Sequence, residues 1–275
     1  MTMDAVLVTT SRRPGEAETK RAVRYAKALH THYLEREAAP SWSELWRCGE
    51  SLLGRPPKGF VVVGKGQLFI QTPIGPLHYH PGMALHRVAA LRRGEADIMT
   101  TTVMHLEPGD RVLDCTAGLG ADAVTAAYAV GPAGRVTALE RIGALALLLK
   151  VGLKTYGGDN RALISAMRRV RVRHASYRDY LARCRPGEYD IVYFDPMFTK
   201  PVAGSSGIAP LRTVADHSQL TGDVLQMAGQ IARRAVVVKD RYGGYYMTKW
   251  TWDEIIGGRH SRIVYCLRRA ADTGH

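Results

Sequence analysis

The chain has 275 residues and a formal net charge of +13, from 38 Lys and Arg against 25 Asp and Glu. Its 46% hydrophobic and 23% charged residues are ordinary for a globular protein, which excludes wholesale disorder and fibrous classes. No run approaches the roughly 18 apolar residues of a membrane span, and the first residues lack a secretion signal. The excess of basic residues favours an anionic partner, with nucleic acid ahead of a membrane surface.

Four cysteines are scattered along the chain, at Cys48, Cys115, Cys184 and Cys266. No two of them have the C-x-x-C spacing of a zinc site or a redox pair. Scattered cysteines in a chain of this length are typical of reduced, buried thiols in a cytosolic protein. We therefore expect a cytoplasmic protein with no membrane anchor and no metal.

Residues 1–105 predict a mixed α+β region. The predicted elements are a strand over 5–9, helices over 16–33, 41–53 and 83–92, and a hairpin of strands 60–63 and 67–71. Ser41 precedes the second helix and Glu44 follows three residues later, which is the pattern of a capping box. The region is rich in Lys and Arg, which is compatible with a substrate-binding appendage, although such charges more often form a solvated face.

Residues 106–275 alternate between strands and helices. The predicted strands are 111–115, 136–139, 170–172, 191–194, 235–239 and 262–267, and the predicted helices are 122–130, 142–156 and 220–232. The runs at 191–194 and 235–238 are continuously apolar, as strands buried on both faces are. This alternation predicts an α/β fold with a doubly wound, mostly parallel sheet.

The strongest local signal lies at 112–122, where a strand leads through Thr-Ala-Gly-Leu-Gly into a helix. Glycine permits positive φ and lets a ligand approach the backbone closely. Asp114, Gly118 and Gly120 are therefore candidates for cofactor binding. Glu140 ends the next strand, where an acidic residue can accept both ribose hydroxyls of an adenosine ligand. The alternative for Glu140 is a solvated carboxylate at a helix start.

The residues of this turn discriminate between ligands. A dinucleotide site uses G-x-G-x-x-G to hold a pyrophosphate, whereas this chain places Asp122 and Ala123 after Gly120. A carboxylate at the helix start would repel a pyrophosphate but tolerate a sulfonium or an ammonium. S-adenosylmethionine carries both cations and no phosphate, so we expect it as the cofactor.

A second signal, Asp195-Pro196-Met197-Phe198, directly follows an apolar strand. It resembles the [N/D]-P-P-[Y/F/W] tetrad of methyltransferases that act on exocyclic or amide nitrogens. An Asp195 side chain could accept an N–H of a base amine, Pro196 would stiffen the turn, and Phe198 could stack on the base. These three are the candidate catalytic residues; the alternative is an ordinary turn with a packed aromatic.

The chain thus resembles class I S-adenosylmethionine-dependent methyltransferases, and more closely the RsmJ-like group, which methylates guanine N2 in small-subunit ribosomal RNA. The matching pieces are 114–122, 140–141, 174–176, 192–198 and 236–239, in the family's order. The resemblance implies a Rossmann-like seven-stranded sheet, an RNA substrate, and a cofactor site lined by Ala121, Asp122, Glu140, Arg141, Ser176, Tyr177 and Asp195. Ser176 could equally cap a helix. The stretch 199–207 has one lysine where the family is lysine-rich, so a protein or small-molecule acceptor, or a non-catalytic binding protein, is the alternative.

Several other features have open interpretations. His78 and His80 are two positions apart and could bind a metal, but no third ligand follows at a fixed spacing, so a surface or core role is expected for them. The basic run 168–173 either contacts a phosphate backbone or forms one face of a half-buried strand. The aromatic residues between 242 and 252 either form a stacking surface or pack in the core, with core packing as the default. Lys239 either faces the substrate cleft or is exposed.

Overall fold

The computed structural model describes residues 5–37, 39, 41–197, 209–216, 218–258 and 262–270. Contacts divide the chain into two compact units. The first comprises Met1–His80, Ile142–Gly152 and Val202–Asp216, and the second comprises Pro81–Arg141, Leu153–Pro201 and His217–His275. A functional division of the chain at residue 105 stays a prediction.

The first unit contains a four-stranded sheet. Its strands are β1 (Val6–Thr10), β2 (Gly59–Val63), β3 (Leu68–Thr72) and β4 (Gly75–His78), in that spatial order. β1 and β2 are parallel, whereas β2, β3 and β4 are antiparallel neighbours. The predicted hairpin and the predicted α+β character of this part of the chain are therefore confirmed.

The helices of the first unit confirm some of the local predictions made from the sequence and contradict one of them. They include α1 (Glu16–Ala28) and α2 (Trp42–Leu53). Ser41 and Glu44 form the predicted capping box of α2, and Gly54 ends that helix in the left-handed conformation. Cys48 lies on the exposed face of α2, so its predicted burial is wrong; Cys115 and Cys266 are buried as expected.

The predicted helix over 16–33 ends five residues early, because the chain after Ala28 pairs with β1 instead. The hydroxyl of Thr31 donates to the carbonyl of Val6 (2.9 Å), and the N–H of Leu34 donates to the carbonyl of Val8 (2.8 Å). Tertiary hydrogen bonds thus override the helical propensity of this segment.

The second unit is built on the predicted seven-stranded sheet. Its strands are β5 (Arg111–Asp114), β6 (Arg135–Glu140), β7 (Arg171–His174), β8 (Tyr189–Phe194), β9 (Ala232–Arg241), β10 (Glu254–Gly257) and β11 (Ile263–Arg269). The spatial order is β10-β11-β9-β8-β5-β6-β7, with β10 and β11 antiparallel and the other five parallel. The strand order reverses between β5 and β8, and ligands of such sheets bind in the crevice at the carboxyl ends of these strands.

Helices of the second unit flank this sheet. They are α3 (Ala84–Arg92), a π-helix (Ile98–Val103), α4 (Ala121–Ala129), α6 (Arg161–Arg169), α7 (Tyr177–Leu181), α9 (Gly222–Ile231) and α10 (Tyr245–Lys249). Of the other two helices, α5 (Gly143–Thr155) belongs mostly to the first unit and α8 (Ala209–Val214) belongs wholly to it. α3, α4 and α6 pack on one another, with α4 against β5 and β6. α7 and α9 bury Leu181, Val224 and Ala228 in the same core as Leu113 and Val192 of the sheet. The fold is therefore the doubly wound α/β architecture that the sequence predicts. Across the described part of the chain, no helix has the length and apolar character needed to cross a bilayer.

Candidate cofactor and methyl-transfer site

The glycine-rich turn lies between β5 and α4 at the carboxyl edge of the sheet. Gly118 and Gly120 adopt φ of +53° and +79°, the left-handed region that favours glycine. A side chain placed on Gly118 would meet no atom within 4 Å. The turn therefore presents bare backbone to open space, as a close approach by a ligand requires.

Two acidic side chains hold this turn in place. Glu140, at the end of β6, accepts a hydrogen bond from the backbone N–H of Gly118 (3.1 Å) and is 7% exposed. Asp114, at the end of β5, accepts one from the N–H of Thr116 (3.0 Å). Burial raises the pKa of Asp114 well above its usual range, and the neighbouring carboxylates add to this effect. The crevice thus gathers carboxyl groups whose ionised forms disfavour one another, and a cationic ligand would relieve that effect.

The Asp-Pro-Met segment after β8 adjoins the glycine-rich turn. The backbone N–H of Asp195 donates to the hydroxyl of Thr116 (2.6 Å), because β5 and β8 are parallel neighbours. Pro196 is buried in this turn. The structure therefore brings together the two motifs that the sequence places 75 residues apart, from Gly120 to Asp195. Phe198 and the stretch 199–207 lie outside the described residues.

Asp122 lies in the first turn of α4, and its carboxylate belongs to a buried salt-bridge network. It accepts hydrogen bonds from the Arg87 guanidinium, from the Tyr193 hydroxyl (2.7 Å) and from Lys239 Nζ (3.2 Å). Burial opposes ionisation, but Lys239 and Arg87 hold the pKa of Asp122 well below its usual range. Two cations compensate this carboxylate. The expectation that its charge would exclude a pyrophosphate and admit a sulfonium is therefore not supported by its charge alone.

Lys239 joins this network to the Asp-Pro turn. Its Nζ also donates to Oδ2 of Asp195 (2.8 Å), and only 19% of its side chain is exposed. Burial alone would lower the pKa of Lys239, but Asp122 and Asp195 raise it above its ordinary value. Of the two interpretations open for Lys239, the structure favours the one in which it faces the site.

The remaining predicted cofactor residues surround the end of β6. Ala121 begins α4 directly after the turn. The carbonyl of Glu140 accepts the N–H of Ala175 (3.1 Å), which sets Ser176 and Tyr177 at the start of α7. The Ser176 side chain makes no capping hydrogen bond, and the Tyr177 ring meets Phe194 edge-on at 5.6 Å. Arg141 is exposed, with its guanidinium 3.5 Å from the Ser218 hydroxyl.

Arg87, Asp97 and Thr116 are functional candidates that the sequence reasoning did not identify. Arg87 belongs to a basic segment that was interpreted as a solvated face or an RNA contact, yet its side chain is 17% exposed. It pairs with Asp97 through two hydrogen bonds of 2.6 and 2.8 Å. Arg87 also pairs with Asp122, which nothing in the local pattern indicates, since that pair depends on α3 packing against α4.

The structure also locates the basic run 168–173 and the aromatic residues between 242 and 252. Arg168 and Arg169 end α6 and donate to carbonyls at the ends of α5 and α4, whereas Arg171 and Arg173 are exposed on β7. Tyr246 is 2% exposed and stacks on Trp250 in the core. In the part of the chain that the structure describes, no group of three or more His, Cys, Asp or Glu side chains could hold a metal ion.

The geometry fits an adenosine-bearing methyl donor. Glu140 ends β6, the neighbour of β5, where a carboxylate can accept ribose hydroxyls, and the open face of Gly118 admits a ligand against the backbone. Asp195 lies beside this space at the end of β8.

Known proteins with similar sequences or folds include methyltransferases. A family model described as "Putative SAM-dependent methyltransferase" matches residues 76–265, where SAM is S-adenosylmethionine. The chain is 35% identical over 237 residues to the Bacillus subtilis protein YpiP, covering 86% of this chain and 89% of YpiP. It is 36% identical over 132 residues to ribosomal RNA small subunit methyltransferase J of Laribacter hongkongensis, covering 47% of this chain and 46% of that enzyme.

The fold comparison agrees. The crystal structure of the SAM-dependent methyltransferase NGO1261 from Neisseria gonorrhoeae is similar with a TM-score of 0.63 and 17% identity, covering 97% of each chain. At that identity the likeness concerns the fold, whereas the family match covers more than half of the sequence. The chain therefore belongs to the SAM-dependent methyltransferases, with S-adenosylmethionine as its cofactor.

Proposed function

We propose that this enzyme transfers a methyl group to an exocyclic amine of RNA, namely N2 of a guanine in ribosomal or other structured RNA. The observation that carries the proposal is the hydrogen bond between the Asp195 N–H and Thr116, which sets an amine-accepting carboxylate beside the cofactor turn. Support for an RNA acceptor comes from the similarity to a relative named as a ribosomal RNA methyltransferase and from the net charge of +13.

The chemistry requires a correctly oriented amine. S-adenosylmethionine supplies a methyl carbon that carries a good leaving group, a sulfonium that departs as a neutral thioether. A guanine amine is a poor nucleophile, because its lone pair is delocalised into the ring. Asp195 accepts an N–H of the amine and thereby turns the lone pair toward the methyl carbon. The nitrogen–carbon bond forms as the carbon–sulfur bond breaks, and the nitrogen then loses a proton to solvent. Orientation of this kind can supply up to about 7–11 kcal/mol of a barrier.

The residues around the crevice have proposed roles in holding the two reactants. Glu140 accepts the ribose hydroxyls, and Ser176 and Tyr177 border the adenine. Pro196 fixes the turn that aims the Asp195 carboxylate, and Phe198 stacks on the target base, a contact worth about 1–3 kcal/mol. Residues 1–105 are proposed to contribute to substrate binding through their basic side chains.

The test is methyl transfer to RNA taken from cells that lack this gene. Purified enzyme with labelled S-adenosylmethionine should label that RNA, and nucleoside mass spectrometry should identify N2-methylguanosine. RNA from cells that carry the gene is the matched control and should accept less label. Label that enters protein or small molecules instead would contradict the RNA assignment. Cofactor binding without any transfer would contradict the enzymatic one.

A further inference from the structure

Five side chains of alternating charge form one connected network in the second unit: Asp97, Arg87, Asp122, Lys239 and Asp195. Arg87 pairs with Asp97 and Asp122, and Lys239 pairs with Asp122 and Asp195. The exposed fraction of the side chain is 7% for Asp97 and 29% for Asp195. The network therefore starts at a buried anchor and ends at the accessible carboxylate of the proposed site.

The buried end of the network is held by several hydrogen bonds. Oδ1 of Asp97 accepts hydrogen bonds from both the N–H and the hydroxyl of Thr100 (2.9 Å each) at the start of the π-helix. Asp122 in turn accepts three donors, including the Tyr193 hydroxyl on β8. The ammonium of Lys239 cannot leave this position without stripping a buried carboxylate of a partner, which is strongly unfavourable.

We propose that Lys239 is a positioning residue that keeps the Asp195 carboxylate ionised and occupies its Oδ2, so that Oδ1 is left to accept the amine N–H. The inference rests on the proposed function of Asp195. An ionised carboxylate is the stronger acceptor for the N–H of an amine, whereas a protonated one presents a donor on one of its two oxygens. A buried lysine held by a second carboxylate meets that need without contacting the acceptor.

The surroundings of Asp195 make its charge dependent on this lysine. The titratable groups that face it are Lys239 and Asp240 on β9, Asp122 on α4, Asp114 on β5, Tyr193 on β8 and Tyr265 on β11. Burial raises the pKa of Asp195, Lys239 lowers it, and Asp122 raises it again. The two partners in the network thus act on Asp195 in opposite directions.

The opposite effects of Lys239 and Asp122 on the pKa of Asp195 provide the experiment. Carboxyl ¹³C chemical shifts of the full-length protein, labelled at aspartate, give the titration midpoint of Asp195, which an Asp195→Asn sample assigns. Lys239→Met should move the midpoint upward, and Asp122→Asn should move it downward. Loss of packing alone would not produce shifts of opposite sign. Lys239→Arg preserves the cation and should restore the midpoint toward that of the unmodified protein.

Asp190 offers a matched control. Its side chain is 14% exposed, as is that of Asp122, and it pairs with Arg111 and Arg233 in the same sheet. Asp190→Asn should therefore disturb an ion pair of similar burial without moving the midpoint of Asp195. If Lys239→Met does not fold, the double variant with Asp122→Asn also removes the buried carboxylate that has lost one of its two cationic partners. Its midpoint should still lie above that of the unmodified protein, because Lys239 contacts Asp195 directly at 2.8 Å.

An unchanged Asp195 midpoint in folded Lys239→Met, or in the double variant, would overturn the inference. The titration needs no acceptor, so it is independent of the proposed function. If the midpoints move as expected but no RNA is methylated, the acceptor assignment fails and the coupling of Lys239 to Asp195 stands. If RNA is methylated, Lys239→Met should transfer methyl about 10- to 100-fold more slowly at neutral pH, with the acid limb of its pH–rate profile moved upward. An acid limb that stays in place would also overturn it.

Discussion

Gly118→Ala is the substitution that separates backbone strain from loss of the cofactor site. Gly118 has φ of +53°, a conformation that costs an L-residue about 1–2 kcal/mol. Because no atom lies within 4 Å of the added Cβ, the variant should fold, with its free energy of unfolding reduced by only that amount. The methyl group would, however, occupy space that the account assigns to S-adenosylmethionine. Overpacking of this kind costs about 1–3 kcal/mol, or about a 5- to 150-fold weaker affinity.

Gly131→Ala is the control for this prediction. Gly131 has φ of +66°, also has open space around an added Cβ, and follows α4 at the end opposite the turn. Urea denaturation should therefore give similar losses of stability for the two variants. Isothermal titration with S-adenosylmethionine should show weaker binding for Gly118→Ala alone. Equal affinities in the two variants would refute the placement of the cofactor against this turn.

Three further predictions concern single side chains. Glu140→Gln should weaken S-adenosylmethionine binding by about 1–2 kcal/mol, measured by calorimetry, because a charged hydrogen-bond acceptor is lost; unchanged affinity would contradict its role. Tyr246→Ala should lower the free energy of unfolding by about 3–5 kcal/mol in urea denaturation, since Tyr246 is buried. The same substitution at its exposed neighbour Tyr245 should lower it by about 1 kcal/mol, and equal losses would argue against the stacked core. Burial raises the pKa of Asp97, but Arg87 lowers it by more, so the folded protein should lose stability as the pH drops below about 4. Asp97→Asn should flatten that loss, as measured by urea denaturation between about pH 3 and 6.

The sequence predicts the sheet and the conformation of the glycine-rich turn because their signals are local. Apolar runs mark the buried strands β8 and β9, and Gly118 and Gly120 mark a turn that needs positive φ. Glu140 is predictable from its spacing alone, since the end of the second strand is fixed by the fold. The same local logic finds the capping box of α2.

The salt-bridge network was not predictable, because it depends on pairings between distant parts of the chain. Arg87 lies 35 positions before Asp122, and Lys239 lies 117 positions after it. In the sequence, Arg87 resembles any other basic residue of an exposed helix. α6 was missed for a related reason: its last residues, Arg168 and Arg169, looked like the start of the basic strand that begins only at Arg171.

The measurement that tests the central claim most directly is single-turnover methyl transfer to the acceptor RNA by Asp195→Ala, which removes the acceptor oxygens, with S-adenosylmethionine binding followed in parallel. A misplaced amine can slow transfer by about 100-fold. The account predicts a loss of at least about that size in a folded variant that still binds the cofactor. A variant that transfers methyl as fast as the unmodified enzyme would show that the turn after β8 does not orient the acceptor.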